Sequence, residues 1–313
     1  MKPSHLTALV AIAFACLSGH ANAAITVDGK ALLGDVRVLS SEAFAGRRTG
    51  TEGSRLAQAY LTKRFEQLGL KSFDGGYAMP FSFTVKNRKQ VETNYPSATN
   101  LVGFIPGTLN PERYLVVSAH YDHLGVREGV IYPGADDNAS GVAAMLAIAD
   151  YFRQHPPRHT IVFAAFDGEE LGLQGGIAFV KKLPFARDKL VMDLNLDMVS
   201  RNDNNEIWAA GLHHYPALTE IVTAAASRTK VKLKMGHDVP VPSKADDDWT
   251  FSSDHGPFHE ANVPFLYFGV EDHADYHKPG DTFDKIKPAF FTQVAELLVD
   301  VAVTADQKLD PVK

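Results

Sequence analysis

The sequence predicts an α/β fold: a single domain with a mostly parallel central β-sheet and helices on both of its faces. Continuous apolar runs, such as residues 114–119 and 160–166, are typical of strands covered on both sides. These runs alternate with helical patterns, as expected for parallel strands joined by crossover helices. No internal repeat, low-complexity tract or Ser/Gly linker divides the chain.

The elements follow from the period of the apolar residues along the chain. Helical spacing predicts helices over residues 54–70, 141–152, 177–183, 215–228 and 288–305, and Gly69 and Pro156 end the first two. Alternating or continuous apolar residues predict strands over residues 77–85, 100–105, 114–119, 160–166, 190–197, 206–210 and 264–268.

The first 23 residues have the pattern of a secretory signal peptide. Lys2 precedes an apolar run over residues 6–17, and small residues up to Ala23 form a cleavage signal. The run is too short to span a bilayer. We therefore expect export to the periplasm or the exterior. Lipoprotein anchoring through Cys16 is not expected, because the residues before it fit a lipoprotein signal poorly.

The composition of the remaining chain excludes several classes of protein. Cys16 is the only cysteine, so cleavage of the leader would leave neither a disulfide nor a thiolate ligand. The net charge of −6 argues against nucleic-acid binding, which needs a basic face. No stretch after the leader approaches about 18 apolar residues, so no membrane span is expected.

Five residues that can bind a metal each lie beside a local signature and after a run predicted to be a buried strand. They are His120, Asp136, Glu170, Asp197 and His277. Two imidazoles and three carboxylates suit zinc, and they are more than one ion needs. The set fits two zinc ions that share a bridging carboxylate. In this fold class ligands gather beyond the carboxyl ends of the strands, where several of these residues fall.

The first two signatures each have a purely structural alternative. His120 ends a strand and Asp122 faces the same way two residues later, so Asp122 could hold the second imidazole nitrogen. The alternative is a core histidine. Asp136 begins an acidic, small-residue segment that opens a helix, where acids also serve as caps. The tight turn favours Asp136 as the bridging ligand.

Glu169 and Glu170 follow a strand with no other polar residue in its centre. Adjacent acids are costly to bury unless a cation or a proton neutralises one of them. We therefore expect Glu170 to bind metal and Glu169 to act as the general base, taking a proton from water and passing it to the leaving nitrogen. The alternative is an exposed turn with two solvated acids.

The last two signatures are weaker when taken alone. Asp197 could simply cap a loop at the end of its strand. His277 is one of 13 histidines, but Pro279 and Gly280 force a turn after it, and Asp281 could support its ring.

Six motifs in order carry a family resemblance over roughly residues 39–298. They are Ser-Ala-His-Tyr-Asp at 118–122, Gly-Ala-Asp-Asp-Asn-Ala-Ser-Gly at 134–141, Gly-Glu-Glu at 168–170, Leu-Asp-Met at 196–198, Ser-Asp-His at 253–255, and His277 with Asp281 and Thr282. The set resembles metallopeptidase family 28, the secreted double-zinc aminopeptidases of the leucyl and bacterial type. Phe44-Ala45-Gly46-Arg47 near the front belongs to the same match.

The resemblance implies a zinc exopeptidase (phosphorylase/hydrolase-like) fold with two zinc ions per chain. It implies that Asp136 bridges the ions, with His120 and Asp197 on one and Glu170 and His277 on the other. It also implies a cis peptide bond between Asp136 and Asp137. Too few residues precede His120 for a protease-associated insert, so residues 24–313 should form the catalytic domain alone.

The expected function is a zinc-dependent aminopeptidase that removes N-terminal residues from peptides with a free amino terminus. Candidate substrate-binding residues are Phe251, Ser253, Asp254 and Tyr267. The preferred terminal residue and the oligomeric state stay open.

Three other functions on related folds compete with this expectation. A glutaminyl cyclase would use a single zinc for acyl transfer within its substrate. A carboxypeptidase or deacylase of the two-domain zinc family would need an insert between Asp197 and His277, where there is little room. A binding protein would be expected to have lost ligands, and none is missing.

Overall fold

The computed structural model describes residues 25–86, 89–239 and 247–308, so the predicted signal peptide and Cys16 lie outside the described residues. The strands are β1 (Ala78–Lys86), β2 (Glu92–Ile105), β3 (Asn110–His120), β4 (Gly125–Arg127), β5 (Val130–Tyr132), β6 (His159–Phe166), β7 (Leu190–Leu196), β8 (Glu206–Ala210), β9 (Lys232–Met235) and β10 (Phe265–Gly269). The helices are α1 (Gly29–Leu39), α2 (Glu52–Gln67), α3 (Gly141–Gln154), α4 (Gln174–Lys181), α5 (Thr219–Ala226), α6 (His255–Glu260) and α7 (Pro288–Lys308).

Eight strands form one mixed sheet in the order β1-β2-β6-β3-β7-β10-β8-β9. The four central strands, β6, β3, β7 and β10, run parallel to one another. The antiparallel pairings are β1 with β2, β2 with β6, and β8 with β10. Strands β4 and β5 pair separately as a short hairpin. The predicted mostly parallel centre is confirmed.

The central strands bury side chains on both faces of the sheet, because successive residues of a strand point in opposite directions. Leu115 and Val117 of β3 belong to the large apolar cluster that contains residues of α1, α2, α3, α5 and α7. Val116, between them, belongs to a second cluster with Phe179 of α4 and Phe258 of α6. Helices therefore cover both faces, as predicted.

Several elements were not predicted from the apolar pattern. Helix α1 contains Gly29 and Gly34, which weaken a helical pattern, yet the Asp28 carboxylate caps it by accepting the N–H groups of Lys30 and Ala31. Strands β4, β5 and β9 have only three or four residues, and α6 has six. Such short segments show too little periodicity to be recognised.

Helix α7 is the longest helix of the described part of the chain, with 21 residues and a mean hydropathy of 1.3. By length and composition alone it could cross a membrane, whereas the sequence analysis expects no membrane span. Its contacts with α3 and α5 place it in the core, and 61% of its most apolar window is buried. Packing accounts for its apolar character.

The parallel centre brings the candidate residues to one edge of the sheet. His120 is the last residue of β3, Glu169 and Glu170 follow β6, and Asp197 directly follows β7. His277 lies in the segment after β10. Because β3, β6, β7 and β10 are parallel, all of these positions lie beyond carboxyl ends of strands.

Candidate metal centre

Four nitrogen–oxygen distances define two adjoining groups of side chains. His120 Nε2 lies 3.3 Å from Asp197 Oδ1 and 3.4 Å from Asp137 Oδ1. His277 Nε2 lies 3.2 Å from Asp137 Oδ2 and 3.3 Å from Glu170 Oε2. We call His120 with Asp197 the inner group and His277 with Glu170 the outer group. Asp137 contributes one oxygen to each.

These separations fit the size of a zinc ion. A tetrahedral zinc with bonds of about 2.1 Å holds its ligand atoms about 3.4 Å apart. Asp137 Oδ2 is also buried without a hydrogen-bond partner among the described residues, which is costly unless a cation is present. The residues of both groups therefore fit the predicted cation.

Asp137 occupies the position that the sequence analysis gave to Asp136. The Asp136 carboxylate is fully buried and turned to other partners: its Oδ1 accepts hydrogen bonds from Ser200 N (2.8 Å) and Ser200 Oγ (2.6 Å). Its Oδ2 lies 3.2 Å from His273 Nε2. The prediction of Asp136 as the bridging residue is therefore corrected by one position, because only Asp137 faces both groups.

The cis peptide bond is displaced by the same single position. It joins Asp137 and Asn138, so the predicted location between Asp136 and Asp137 was wrong. The Asn138 amide donates to Leu196 O at 2.8 Å, and its Oδ1 accepts from Gly141 N at 2.8 Å. These bonds tie the acidic segment to the end of β7 and to the start of α3.

Asp281 holds the same segment from the other side. Its carboxylate accepts the backbone N–H groups of Asp136 and Asp137 at 3.0 Å each. The sequence analysis gave Asp281 a different task, the support of the His277 ring. In the structure Asp281 instead fixes the backbone that presents Asp137.

Asp122 contacts the His120 ring mainly through its backbone oxygen and less closely through its carboxylate. The backbone oxygen of Asp122 is 3.2 Å from His120 Nδ1, whereas the carboxylate is 3.7 Å away. The Asp122 carboxylate accepts the backbone N–H of Glu169 at 3.1 Å. Asp122 thus contacts the ring and also anchors the loop that carries Glu169.

Glu169 lies next to the inner group without joining it. Its Oε2 is 3.9 Å from His120 Nε2, beyond the 3.2–3.4 Å separations of the two groups. Burial raises the pKa of Glu169 well above its ordinary value; His120 opposes this effect, and Asp197 and Asp254 add to it. A raised pKa is typical of a carboxylate that serves as a general base.

The other acids and imidazoles of the site also have displaced pKa values. Burial raises the pKa of Glu170 to about 7. Burial lowers the pKa of His120, but Asp197 and Glu169 outweigh it, and the pKa is raised well above its ordinary value. Burial and the Glu170 charge raise the pKa of Asp137. Crowded carboxylates hold protons where a cation would replace them.

Arg47, the last residue of the Phe-Ala-Gly-Arg motif, is a fully buried cation behind the site. Its guanidinium donates to the backbone oxygens of Leu39 (2.7 Å), Tyr121 (2.8 Å), Pro133 (2.7 Å) and Gly134 (2.9 Å). Burial lowers the pKa of Arg47 to about 10, against the effect of nearby carboxylates led by Asp137. Arg47 therefore joins the strand end at His120 to the segment before Asp137.

His123 was missed by the sequence analysis, although it directly follows Asp122. Its Nδ1 lies 2.6 Å from Glu170 Oε1 and 3.6 Å from Asp137 Oδ2. The side chain is fully buried, and burial lowers its pKa to about 3, so the ring is neutral. The signal in the sequence was a third polar residue immediately after a buried strand.

The four candidate substrate-binding residues differ in accessibility. Ser253 and Asp254 are fully buried, and burial raises the pKa of Asp254 to about 7. Tyr267 is buried and donates from its hydroxyl to the backbone oxygen of Asp197 at 3.3 Å. Phe251 is 54% exposed, which makes it the one of the four that most readily contacts a bound molecule.

The sequence model described as Peptidase family M28 matches residues 100–302, about two thirds of the chain. The chain belongs to this peptidase family. The match spans all of the candidate ligands, from His120 to His277, so the suspected family is confirmed.

Several relatives are peptidases by name. A probable zinc metalloprotease of Pyrenophora teres f. teres (strain 0-1) is 31% identical over 227 residues, which cover 70% of this chain and 47% of the relative. Aminopeptidase YwaD of Bacillus subtilis (strain 168) is 29% identical over 252 residues, covering 77% of this chain and 51% of that protein. The chain thus spans about half the length of these relatives.

Solved structures confirm the fold. BSAP, a zinc aminopeptidase from Bacillus subtilis, matches this M28 chain with a TM-score of 0.71 and 18% identity, covering 89% of this chain and 95% of that one. A glutaminyl cyclase from Bacteroides thetaiotaomicron matches with a TM-score of 0.68 and 17% identity, covering 88% and 97%. Since enzymes of two kinds share this fold, the fold alone does not assign the reaction.

Proposed function

We propose that this M28 chain is a zinc-dependent aminopeptidase with two zinc ions. The observation that carries the proposal is the position of Asp137, whose two oxygens lie 3.4 Å from His120 Nε2 and 3.2 Å from His277 Nε2. A carboxylate between two histidine-containing groups suits a pair of ions that share one ligand. The zinc-related names of its relatives support the choice of metal.

The five residues that would hold zinc are His120, Asp137, Glu170, Asp197 and His277. Zinc at such a site lowers the pKa of water and polarises a carbonyl oxygen. The surrounding chain supplies the positioning. Asp281 accepts the backbone N–H of Asp137, Arg47 binds the carbonyl of Gly134 three residues before it, and Asp122 holds the loop of Glu169.

Glu169 is the residue we assign as general base. Its carboxylate would take a proton from the attacking water and then pass it to the nitrogen of the departing amine. The 3.9 Å distance from His120 leaves the carboxylate beside the inner group without making it a ligand. Its side chain is partly exposed, so water can reach it.

The proposed substrate is a peptide with a free amino terminus. Crowded carboxylates, including Glu169, Glu170, Asp197 and Asp254, favour a cationic group at the edge of the site. Phe251 offers an exposed aromatic surface for the first side chain. The leader pattern of residues 1–23 supports export, so we propose that the substrates are extracellular or periplasmic peptides.

An assay with three matched substrates tests this function. We expect hydrolysis of leucine nitroanilide, no hydrolysis of its N-acetylated form, and hydrolysis rather than ring closure of a peptide that begins with glutamine. Activity should disappear with a zinc chelator and return with zinc.

Two results would contradict the proposal. Equal hydrolysis of the free and acetylated substrates would remove the requirement for a free amino terminus. Formation of pyroglutamyl peptide without hydrolysis would replace the aminopeptidase with a glutaminyl cyclase.

A further inference from the structure

His123 and Glu170 form an unusual buried contact that the proposed reaction does not use. His123 Nδ1 lies 2.6 Å from Glu170 Oε1. Neither nitrogen of His123 has a hydrogen-bond partner among the described residues, and Glu170 Oε1 has none there either. The two atoms are 2.6 Å apart, yet neither makes a hydrogen bond in the described part of the chain, not even with the other, so they are close but not aligned. Since buried polar atoms are normally paired, we expect a small rotation to form the bond when the site is complete.

The distance separates two possible roles for His123. Ligand atoms on one tetrahedral zinc lie about 3.4 Å apart. The four separations within the inner and outer groups agree with this value at 3.2–3.4 Å, whereas His123 and Glu170 are clearly closer. Their separation of 2.6 Å is closer to that of a hydrogen bond from N–H to a carboxylate, about 2.7–2.9 Å, than to the spacing of two ligands on one ion.

The two oxygens of Glu170 face different neighbours. Oε2 lies 3.3 Å from His277 Nε2, on the side of the outer group, and Oε1 faces His123. A carboxylate that binds metal through one oxygen has a free oxygen that must be fixed by a donor. Otherwise the group can rotate out of its binding position.

We propose that His123 is a positioning residue that donates Nδ1–H to Glu170 Oε1 and so aims Glu170 Oε2 at the outer metal position. The inference rests on the proposed function, since it concerns the outer of the two ions. It adds a residue outside the five ligands and the general base.

The surroundings of His123 hold its ring in place. A Cβ atom at Gly134 would come within 2.5 Å of His123 Cγ and Cδ2, so this glycine makes room for the ring. Gly134 also has a φ of +61°, which side chains disfavour. Arg47 holds the Gly134 carbonyl at 2.9 Å. The ring is thus enclosed between this segment and Glu170.

The test compares His123→Asn, His123→Gln and His123→Ala with the wild-type protein. An Asn amide nitrogen occupies roughly the place of Nδ1, whereas a Gln amide nitrogen reaches the place of Nε2. Zinc affinity is measured by competition with a chromophoric chelator. The matched control is His155→Asn, because His155 is exposed and lies at the end of α3, away from the site.

We expect His123→Ala and His123→Gln to lower the affinity for one of the two zinc ions by about 10–100-fold. This is the usual range when a group that orients a metal ligand is removed. His123→Asn should restore most of that affinity, and His155→Asn should match the wild type. In protein saturated with cobalt, the visible absorption of His123→Ala should keep the wild-type intensity, because the number of ligands is unchanged.

Specific results would overturn the proposal. Unchanged zinc affinity in His123→Ala, or equal loss in the Asn and Gln variants, removes the Nδ1–H donor role. A changed cobalt spectrum at saturation would make His123 a ligand instead. If His123→Ala does not fold, the comparison of His123→Asn with His123→Gln still shows whether a donor at the place of Nδ1 is needed. Wild-type protein that takes up only one zinc would contradict the two-metal function itself, which is a separate failure.

Discussion

The inner and outer groups share Asp137 but differ in how the fold holds them. His120 is 1% exposed and ends a central strand, and Asp197 directly follows the neighbouring strand. The side chain of His277 is 40% exposed and lies on a loop with a φ of +55°. The inner position is therefore built on rigid strand ends, whereas the outer position depends on loops and on the residues that hold them.

This difference predicts different metal affinities at the two positions. Side chains on packed strands keep their geometry without metal, because their rotamers are fixed by neighbours. Loop-borne ligands need additional support, which by our proposal His123 provides for Glu170, while Asp281 and Arg47 hold the segment of the shared Asp137. We expect the inner ion to bind more tightly and the outer ion to exchange more readily.

The largest expected effect comes from breaking the link between the groups. Asp137→Asn should lower zinc affinity at both positions and reduce activity by more than about 1000-fold, since metal contributes several kcal/mol to the reaction. Zinc content after dialysis and the rate of nitroanilide hydrolysis measure this.

Asp136→Asn is the matched control for the bridging role, because the two residues are adjacent aspartates and the substitution is the same. It should keep two zinc ions and lose about 1–2 kcal/mol of unfolding free energy through weakened hydrogen bonds to Ser200. If Asp136→Asn lost both ions and Asp137→Asn kept them, the bridging residue would be Asp136 after all.

Glu169→Gln should separate catalysis from metal binding. The amide keeps the size of the side chain but cannot take a proton, so activity should fall by about 100- to 10,000-fold. Zinc content should stay at the wild-type value because Glu169 lies outside both groups. Activity within threefold of the wild type would remove the general-base role.

His277→Ala and His120→Ala test the contrast in rigidity directly. We expect His277→Ala to lose one zinc while the other keeps its affinity and the melting temperature of metal-free protein changes little. His120→Ala should also lower that melting temperature, by about 2–4 °C per kcal/mol of lost stability, because the ring is fully buried. Calorimetry with and without chelator measures both. Identical behaviour of the two variants would refute the distinction between the groups.

The smallest expected effect is on the pH dependence of stability without metal. Glu170 and Asp254 have folded-state pKa values of about 7, above the ordinary values of 4.5 and 3.8. The native state therefore binds more protons than the unfolded state between those values, so stability falls as pH rises from about 4 to 7. Metal-free protein should therefore melt at a lower temperature at pH 8 than at pH 5.

Zinc should reverse this pH trend, because it replaces the protons that the carboxylates otherwise hold. Scanning calorimetry of metal-free and zinc-loaded protein at pH 5, 6, 7 and 8 provides the comparison. A metal-free protein that grows more stable over this range would show that the acids are ionised in the folded state.

Much of the fold was predictable because it depends on periodicity. The continuous apolar runs that lead to His120, Glu169 and Asp197 identified three of the buried parallel strands, whereas Asp137 and His277 follow turns and loops. The short strands β4 and β5 and the glycine-containing α1 were not predicted, because their apolar residues show too little periodicity. His123 was missed because its position after a buried strand marks it as a polar residue near the site but does not show that its ring faces Glu170.

The sequence by itself determined the fold class, the edge of the sheet where the polar residues gather, and the chemical kinds of ligand in it. Only the tertiary structure decided which of two adjacent aspartates faces both groups. That choice depends on the backbone path between Gly134 and Gly141, which is fixed by Asp281, 145 positions away, and by Arg47, 87 positions before Gly134. Local patterns cannot report such contacts, because in this segment a shift of one residue exchanges the side chain that points into the site.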